Sequence, residues 1–360
     1  MIHFFPASGK SEANSPFGDE LVRLGVEHRF FGYPVNMRYR TRAGLLFRVY
    51  PRLFWANARA AIRSFVLSTP RPDVVVVGTD ILALIVGTLG SFLRRRPLIV
   101  FQSLILTPKK SAFARMIQRA VYTIVLNMAD LAICHSRIEV EKYRAAYPNA
   151  KCVFCFIPYG TTVTRRLELI AAASEKTSQP REKLVIASAG RSGRDYQTLV
   201  QATRGLPCEI HIVCDTDMPV RGLAGDDRVK VIKNVYNDDY LRVLAEADIV
   251  VIPLASDDVS AGQMVLLQAF ALQKPVIISR TSTTIDYLDE GVEGLMVGIG
   301  RADEMRAAIE QFFMNAASRS EFGAQAACRF EADFATEVYI RRLVGAINEA
   351  LGRRMQARSR

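Results

Sequence analysis

The chain of 360 residues lacks the residue spacings of a metal protein. Its four histidines are far apart in sequence, and no second C-x-x-C follows the one at Cys152–Cys155. The surroundings of that pair, Lys151 to Ile157, read as a strand. Positions three apart on a strand face opposite sides, so these two thiols are poorly placed to chelate one ion. With Cys134, Cys208, Cys214 and Cys328 they read as buried free thiols in a reducing cytoplasm. Low-complexity tracts are absent and half of the residues are hydrophobic, which suits two domains of roughly 150–180 residues. No secretory signal is expected from Ile2 to Phe5, which is too short for one. Val74 to Leu93 comes nearest to a membrane span, with one charge in twenty residues. Gly78-Thr79-Asp80 breaks it where a strand-to-helix turn belongs, and Asp80 would be costly in lipid. A buried strand and a core-facing helix are expected instead.

Carboxylates are short in the first half only. Residues 1–180 hold 25 Lys/Arg against 11 Asp/Glu, and residues 181–360 hold 22 against 25. Such asymmetry favours an anionic partner for one half. Nucleic acid is disfavoured, because no zinc-finger spacing or basic-aromatic RNA signature is present. Arg94 to Arg96, Lys109, Lys110, Arg115 and Arg119 form one basic cluster. Arg38, Arg40, Arg42, Arg48, Arg52, Arg59 and Arg63 form another, interleaved with Phe47, Tyr50, Leu53, Phe54 and Trp55. A basic, aromatic-bearing helical face suits docking on an anionic membrane without spanning it. Docking would put a cytoplasmic protein at the inner face of the plasma membrane, with a lipid-linked sugar as acceptor. A solvated charged surface is the competing reading.

What is present is clearest at Lys183 to Leu199, KLVIASAGRSGRDYQTL. An apolar strand, Leu184 to Ala187, turns through Gly190 and Gly193 into a helical pattern. That geometry collects unpaired backbone N–H groups and the positive helix end at one spot. Arg191 and Arg194 make the spot an anion site, best matched by a pyrophosphate. An ordinary βα loop with solvated arginines is the alternative. Around this segment strands and helices alternate: strands at 2–6, 27–31, 74–77, 98–101 and 131–135, helices near 18–25, from 81, and at 111–127 and 137–147, with a long amphipathic region over 41–67. The pattern stalls between Pro158 and Pro180 and restarts with strands at 184–187, 209–213, 229–232, 249–253, 275–278 and 294–297. Helices are expected at 196–203, 238–247, 263–272, 302–315 and 336–351. Two doubly wound, Rossmann-like domains facing a central cleft are predicted, with ligand at the carboxyl ends of the strands.

A second segment fits the same ligand. After the strand ADIVVIPL, Ser260 and Gln263 have the S-x-x-Q spacing of a capping box, which predicts a helix beginning just after Ser260. Gln268 lies two turns inside it. Thr281 to Thr284 are expected to cap the next helix with their hydroxyls facing the cleft.

From about Lys183 to Ala350 the chain resembles the C-terminal nucleotide-binding domain of GT-B glycosyltransferases, specifically the large retaining family 4 (glycosyl transferases group 1). Ala189 to Leu199 looks like that family's "GR…K/R…L" loop. Asp248 to Val297 resembles its "ad-v-v-P … E-x7-E … A-x-G-x-PVI … G … G-L-V" block, and Asn14-Ser-Pro-Phe17 is similar to an "N-P-Y" entry loop. The resemblance implies an α/β GT-B fold: an acceptor-side domain over 1–162, a linker over 163–182, and a sugar-nucleotide-binding domain over 183–335. A C-terminal helix over 336–360 could cross back to the first domain. The implied activity is transfer of a hexose, with retention and without a metal or other cofactor, from a UDP- or GDP-linked sugar to a lipid-linked or polysaccharide acceptor in bacterial surface-glycan synthesis.

By the same resemblance Arg191 and Arg194 grip the diphosphate, together with Gly190, Ser192 and Gly193. The amides of Ala261, Gly262 and Gln263 hold the sugar or the distal phosphate, and Asn234 to Tyr236 pack on the base. Ser8, Gly9, Asn14, Gln102 and Ser103 fall on the acceptor side. Two departures stand out. The family's paired glutamates fall on Ser260 and Gln268, and Gln268 can accept from ribose hydroxyls only without charge assistance; Asp257 and Asp258 lie close by in sequence. The N-domain histidine is missing near Gln102 and Ser103, which leaves Asp80 as the cleft carboxylate or, alternatively, as a helix N-cap. A degenerate GT-B protein serving as partner or regulator is the main rival. An epimerase or hydrolytic relative on the same fold is the third reading.

Overall fold

The computed structural model describes residues 1–6, 15–32, 50–93, 95–106, 109, 111–163, 165–177, 183–217, 219–223, 225–258 and 260–359. Ser8, Gly9, Asn14, Arg38, Arg40, Arg42, Phe47, Arg48, Arg94 and Lys110 lie outside them. The chain divides into two units, Met1–Ile157 with Tyr339–Arg360, and Pro158–Val338.

The first unit runs β1 (Ile2–Phe5), α1 (Pro16–Arg23), β2 (His28–Phe30), α2 (Tyr50–Ile62) continuing into a π-turn (Arg63–Leu67), β3 (Val74–Val77), α3 (Asp80–Ser91), β4 (Leu98–Phe101), α4 (Ala112–Met128), β5 (Leu131–Cys134), α5 (Arg137–Ala146) and β6 (Val153–Phe156). All strand pairs are parallel, in the order β2-β1-β3-β4-β5-β6. β3 is four buried valines, the unbroken apolar run that a parallel strand covered on both faces requires. On one face Val75, Val77, Ile99 and Phe101 pack with Ala60, Leu82, Val86 and Leu126 of α2, α3 and α4. On the other, Phe4, Val74, Val76 and Val100 meet Leu21 of α1 and Ile340, Leu343 and Ile347 of the C-terminal helix. Each fully buried Val, Ile or Leu contributes on the order of 1.5–3 kcal/mol, an upper value given a compact unfolded chain. The segment 74–93 is thus a strand and a core-facing helix. Cys152 belongs to one core face and Cys155 packs against the other, so the C-x-x-C pair is split across the sheet. All six cysteines are free, but Cys328 is exposed and Cys155 half-buried, which corrects the expectation that all are buried.

The second unit runs α6 (Arg166–Thr177), β7 (Leu184–Ala189), α7 (Tyr196–Ala202), β8 (Cys208–Val213), β9 (Val229–Ile232), α8 (Asn237–Ala245), β10 (Ile249–Ile252), α9 (Gln263–Ala271), β11 (Val276–Ser279), a 3₁₀ turn (Thr284–Asp286), β12 (Gly294–Val297), α10 (Ala302–Met314), α11 (Ala316–Arg329) and a π-turn (Phe330–Phe334). α12 (Thr336–Ser359) starts here, and its residues from Tyr339 belong to the first unit. The parallel sheet has the order β12-β11-β10-β7-β8-β9. Strand order reverses between β7 and β10, the switch point at which doubly wound sheets bind ligands.

Two helices differ from the sequence reading. The stretch 163–182, expected to be a plain connection, carries α6, whose Leu169 and Ala173 are buried in the second unit's core. Two apolar anchors one turn apart in a polar segment give little periodicity to read. α11 passes so close to the backbone of Gln273 that a Cβ on Gly323 would lie 2.3 Å from the Gln273 carbonyl oxygen. There glycine serves helix packing and does not mark a break.

Candidate active site

The two segments singled out by sequence meet at the carboxyl ends of β7 and β10, which are paired neighbours. Asp195 N–H donates to the Pro253 carbonyl and Ala255 N–H to the Gly193 carbonyl, both at 3.0 Å. These bonds stitch the loop after β7 to the loop after β10. A Cβ on Gly193 would stand 3.8 Å from that of Ala261, so the Gly-Arg loop lies against the residues leading into α9.

Both arginines carry the same expected role, and the structure separates them. Arg191 is exposed. Arg194 folds back: its Nε donates to the Ala189 carbonyl at 2.8 Å and its Nη1 to the Ser192 carbonyl at 2.9 Å. Desolvation lowers its pKa. The guanidinium occupies the place of a side chain at residue 190, where a Cβ would meet Nη2 at 2.5 Å, and Gly190 has φ +110°. Only glycine satisfies both conditions. Arg194 therefore braces the loop, and Arg191 is its outward cation. Among the described residues, the amides of Arg191, Ser192 and Gly193 find no acceptor. The first turn of α7 is not bare, however: the Asp195 carboxylate accepts from Thr198 N–H at 3.1 Å and from its hydroxyl at 2.6 Å.

The second helix starts later than its capping-box spacing predicts. The N-cap of α9 is Gly262, at φ +95°, with no side-chain cap. Ser260 Oγ accepts instead from the Gln263 side-chain amide at 2.7 Å. A left-handed glycine turns the chain after Ser260, so the serine cannot reach the first-turn amides. They remain uncapped beside the Arg191 loop, where an anion is favoured. Gln268 Oε1 accepts from the Tyr240 hydroxyl at 2.8 Å, which leaves it one further lone pair. Asp257 is engaged, accepting from Ser282 N–H at 2.8 Å and Oγ–H at 2.7 Å. The hydroxyls of Thr281, Thr283 and Thr284 were expected to open on a cleft. They are buried and bonded to one another, since unpartnered hydroxyls inside a core are costly.

Asp215, at the end of β8, was not singled out by sequence. Its carboxylate accepts from Asn234 N–H at 2.8 Å, and its hydrogen bond to the exposed Tyr236 phenol raises that pKa, while Arg191 lowers it. Arg191, Asp215 and Tyr236 thus form one electrostatic neighbourhood. The only advance signal was a carboxylate just after a strand, in Cys214-Asp215-Thr216-Asp217.

In the first unit Thr79, not Asp80, caps α3, accepting from Leu82 N–H at 3.3 Å. Asp80 accepts from Ile81 N–H at 2.9 Å and from the Tyr122 hydroxyl at 3.4 Å. Gln102 Nε2 donates to Tyr339 Oη at 3.3 Å. Ser103 meets a residue the sequence reading passed over. His135 is buried, with Nδ1 2.9 Å from the Ile157 carbonyl and Nε2 3.0 Å from Ser103 Oγ. A carbonyl only accepts, so Nδ1–H donates to it and Nε2 accepts a hydrogen bond from the Ser103 hydroxyl. Burial depresses the imidazole pKa to about 4. No group of three or more His, Cys, Asp or Glu able to hold a metal occurs among the described residues.

Two parallel six-stranded Rossmann-like sheets with flanking helices, the Gly-Arg loop lying at the switch point of the second, define a GT-B α/β protein. The family profile for glycosyl transferases group 1 matches residues 170–315, and that for the glycosyl transferase 4-like domain matches residues 12–160. The chain belongs to the GT-B glycosyltransferases of group 1. Similar solved structures include sucrose-phosphate synthase from Thermosynechococcus elongatus (18% identity, TM-score 0.74, covering 98% of this chain and 99% of that one). Another is HepE from Anabaena in complex with UDP and glucose (14%, 0.64, 96% and 99%). A third is α,α-trehalose 6-phosphate synthase from Burkholderia multivorans (12%, 0.70, 98% and 99%). No curated protein sequence matches the chain.

Proposed function

We propose that this glycosyltransferase moves a sugar from a UDP- or GDP-linked donor to a lipid-linked or polysaccharide acceptor in bacterial surface-glycan synthesis, with retention and without a metal. The observation that carries the donor part is the convergence of Arg191, three amides without an internal acceptor and the uncapped start of α9. When the glycosidic bond breaks, its electron pair goes to the departing diphosphate, whose charge grows. A guanidinium and amides already in place lower that barrier without reorganising. Arg191 would take the diphosphate and the amides of Gly262 and Gln263 the distal phosphate or sugar. Gln268 with Tyr240 would meet the ribose, and Asn234 to Tyr236 the base. The Anabaena protein's complexes with UDP and with UDP-glucose support a uridine donor. Retention and the acceptor class rest on the family resemblance.

Ser260 and Gln268, at the positions of the paired glutamates, favour a second reading, a GT-B protein that binds a sugar nucleotide without turnover. Thermal-shift measurements against UDP-, GDP- and ADP-sugars, followed by nucleotide release with glycan, lipid-linked and sugar-phosphate acceptors, test both. Stabilisation by one donor with release abolished in Arg191→Ala supports the enzyme. Stabilisation without release supports the binding protein. The absence of both stabilisation and release overturns the donor site.

A further inference from the structure

Two helices of the first unit carry large apolar side chains on their solvent side. On α2 and its π-turn, Phe54, Trp55, Val66 and Leu67 are 48%, 63%, 65% and 71% exposed. On α4, Phe113, Met116, Ile117 and Ile124 are also exposed, and their spacing sets them along one stripe. No described residue from Ala112 to Ile124 is buried; the helix is anchored through Val125 and Leu126. α2 and α4 cover the same face of the sheet, each packed on α3. Cations interleave with the apolar residues: Arg52, Arg59 and Arg63 on one helix, Lys109, Arg115 and Arg119 at the other. No Asp or Glu occurs in residues 50–67 or 109–128. A groove of about 410 Å³ runs by Arg59 and Arg63, with Ile62 and Leu67 at its wall.

We infer that this α2–α4 face docks on an anionic lipid bilayer. The aromatic and aliphatic side chains enter the acyl boundary and the arginines meet headgroup phosphates. Charge selects the occupant. A second copy would bring two carboxylate-free basic faces together, and a neutral bilayer leaves the cations uncompensated, whereas anionic headgroups match the cations while the acyl boundary takes the apolar stripe. Arg96, expected in the basic surface, is not part of it, because its guanidinium is bonded to the Met128 carbonyl and lies 3.4 Å from the Asp130 carboxylate. No helix among the described residues is long and apolar enough to cross a membrane, so the contact is made at the bilayer surface. The inference goes beyond the donor reading and does not depend on it.

Trp55 is the sole tryptophan, so its emission reports docking. The full chain is mixed with phosphatidylcholine vesicles, with or without one-third phosphatidylglycerol. Co-sedimentation and a blue shift are expected with the anionic vesicles, both falling as salt is added. Arg59→Gln/Arg63→Gln/Arg119→Gln should weaken partitioning on the order of 100-fold. Phe113→Ser/Ile117→Ser should weaken it by about 10-fold or more while leaving the salt dependence in place. Both variants should keep the parent melting temperature and nucleotide-sugar response. Three results each overturn the inference: no partitioning, equal partitioning onto neutral vesicles, or variants that bind like the parent. A concentration-dependent dimer dissolved by the apolar variant would assign the stripe to a second copy and overturn it as well. Vesicle binding that persists without any nucleotide response supports docking and removes the donor reading alone.

Discussion

The two units wind related parallel sheets but spend their polar groups differently. At the carboxyl ends of the second sheet, loops are cross-stitched and their side chains largely engaged: Arg194 on two carbonyls, Asp195 on its helix, Asp257 on Ser282, the threonines on one another. What remains outward is a small set, led by Arg191. The first unit holds two buried neutral histidines and an outer helical layer rich in exposed apolar and basic residues. The donor site and the docking face proposed above would be different solutions to binding charge. The first relies on a few fixed donors, the second on area and summed attraction.

The sharpest test of that contrast lies within the Gly-Arg loop. Arg191→Ala should lower nucleotide release by on the order of 10²–10³, as for loss of one transition-state charge donor, with no change in melting temperature. Arg194→Ala should instead destabilise the protein by about 1–3 kcal/mol, because the Ala189 and Ser192 carbonyls lose a charged donor. Calorimetry and steady-state release on both variants distinguish the two roles. If Arg194→Ala impairs release at unchanged stability, the bracing assignment fails.

Acid should separate the units next. His3 and His135 are both buried in the first unit, and burial leads the causes that depress each pKa to about 4. An unfolded imidazole binds its proton near 6.5. Between about 6.5 and 4 the unfolded chain therefore holds more protons, so stability rises with pH across that window and is lost as pH falls through it. Each histidine contributes roughly 3 kcal/mol at most. Glu139, raised by burial, acts in the opposite sense, since the folded state holds its proton longer. Hydrogen exchange at pH 7 and pH 4.5 should show β1 and β5 losing protection before β7 and β10, and His135→Gln should flatten the effect. Simultaneous loss in both sheets would erase this difference between the units.

Much of this architecture was legible in the sequence because parallel strands are buried on both faces and read as unbroken apolar runs. β3 and β4 fall where Val74–Val77 and Leu98–Phe101 predict them. The convergence of the loops after β7 and β10 followed from the alternation of elements and the glycines. Side-chain allegiance was not legible. Sequence places Arg191 and Arg194 three residues apart with equal standing, and only the φ +110° turn at Gly190 decides that one folds inward. Ser260 has a capping spacing, yet Gly262 takes the cap. His135 went unnoticed because its partners, Ser103 and the Ile157 carbonyl, come from neighbouring strands.

Gly190→Ala gives a more modest effect on the same loop. The added Cβ meets the Arg194 guanidinium and the φ is strained, so a loss of about 1–3 kcal/mol is expected. In the double variant with Arg194→Ala the steric part should vanish, giving a measurable coupling in a double-mutant cycle. Strict additivity would show that the guanidinium does not sit over residue 190.

Asp80 offers the smallest effect and a clean contrast with Arg191. Its carboxylate is occupied by the adjacent Ile81 amide and by Tyr122, and the helix start is already capped by Thr79. Asp80→Asn keeps one acceptor oxygen, enough for the Ile81 amide, and gives up the long 3.4 Å contact from the Tyr122 hydroxyl, which contributes little. It also removes charge from the first turn of α3, where an anion is worth about 0.3–1 kcal/mol. Stability should fall by no more than that, and nucleotide release should stay within about 2-fold of the parent. The Tyr122 phenol, raised by burial first and by the Asp80 carboxylate second, should then titrate at lower pH by ultraviolet difference spectroscopy. A loss of release comparable to that of Arg191→Ala, with stability unchanged, would make Asp80 a reacting group. The chemistry would then no longer rest on the second unit alone.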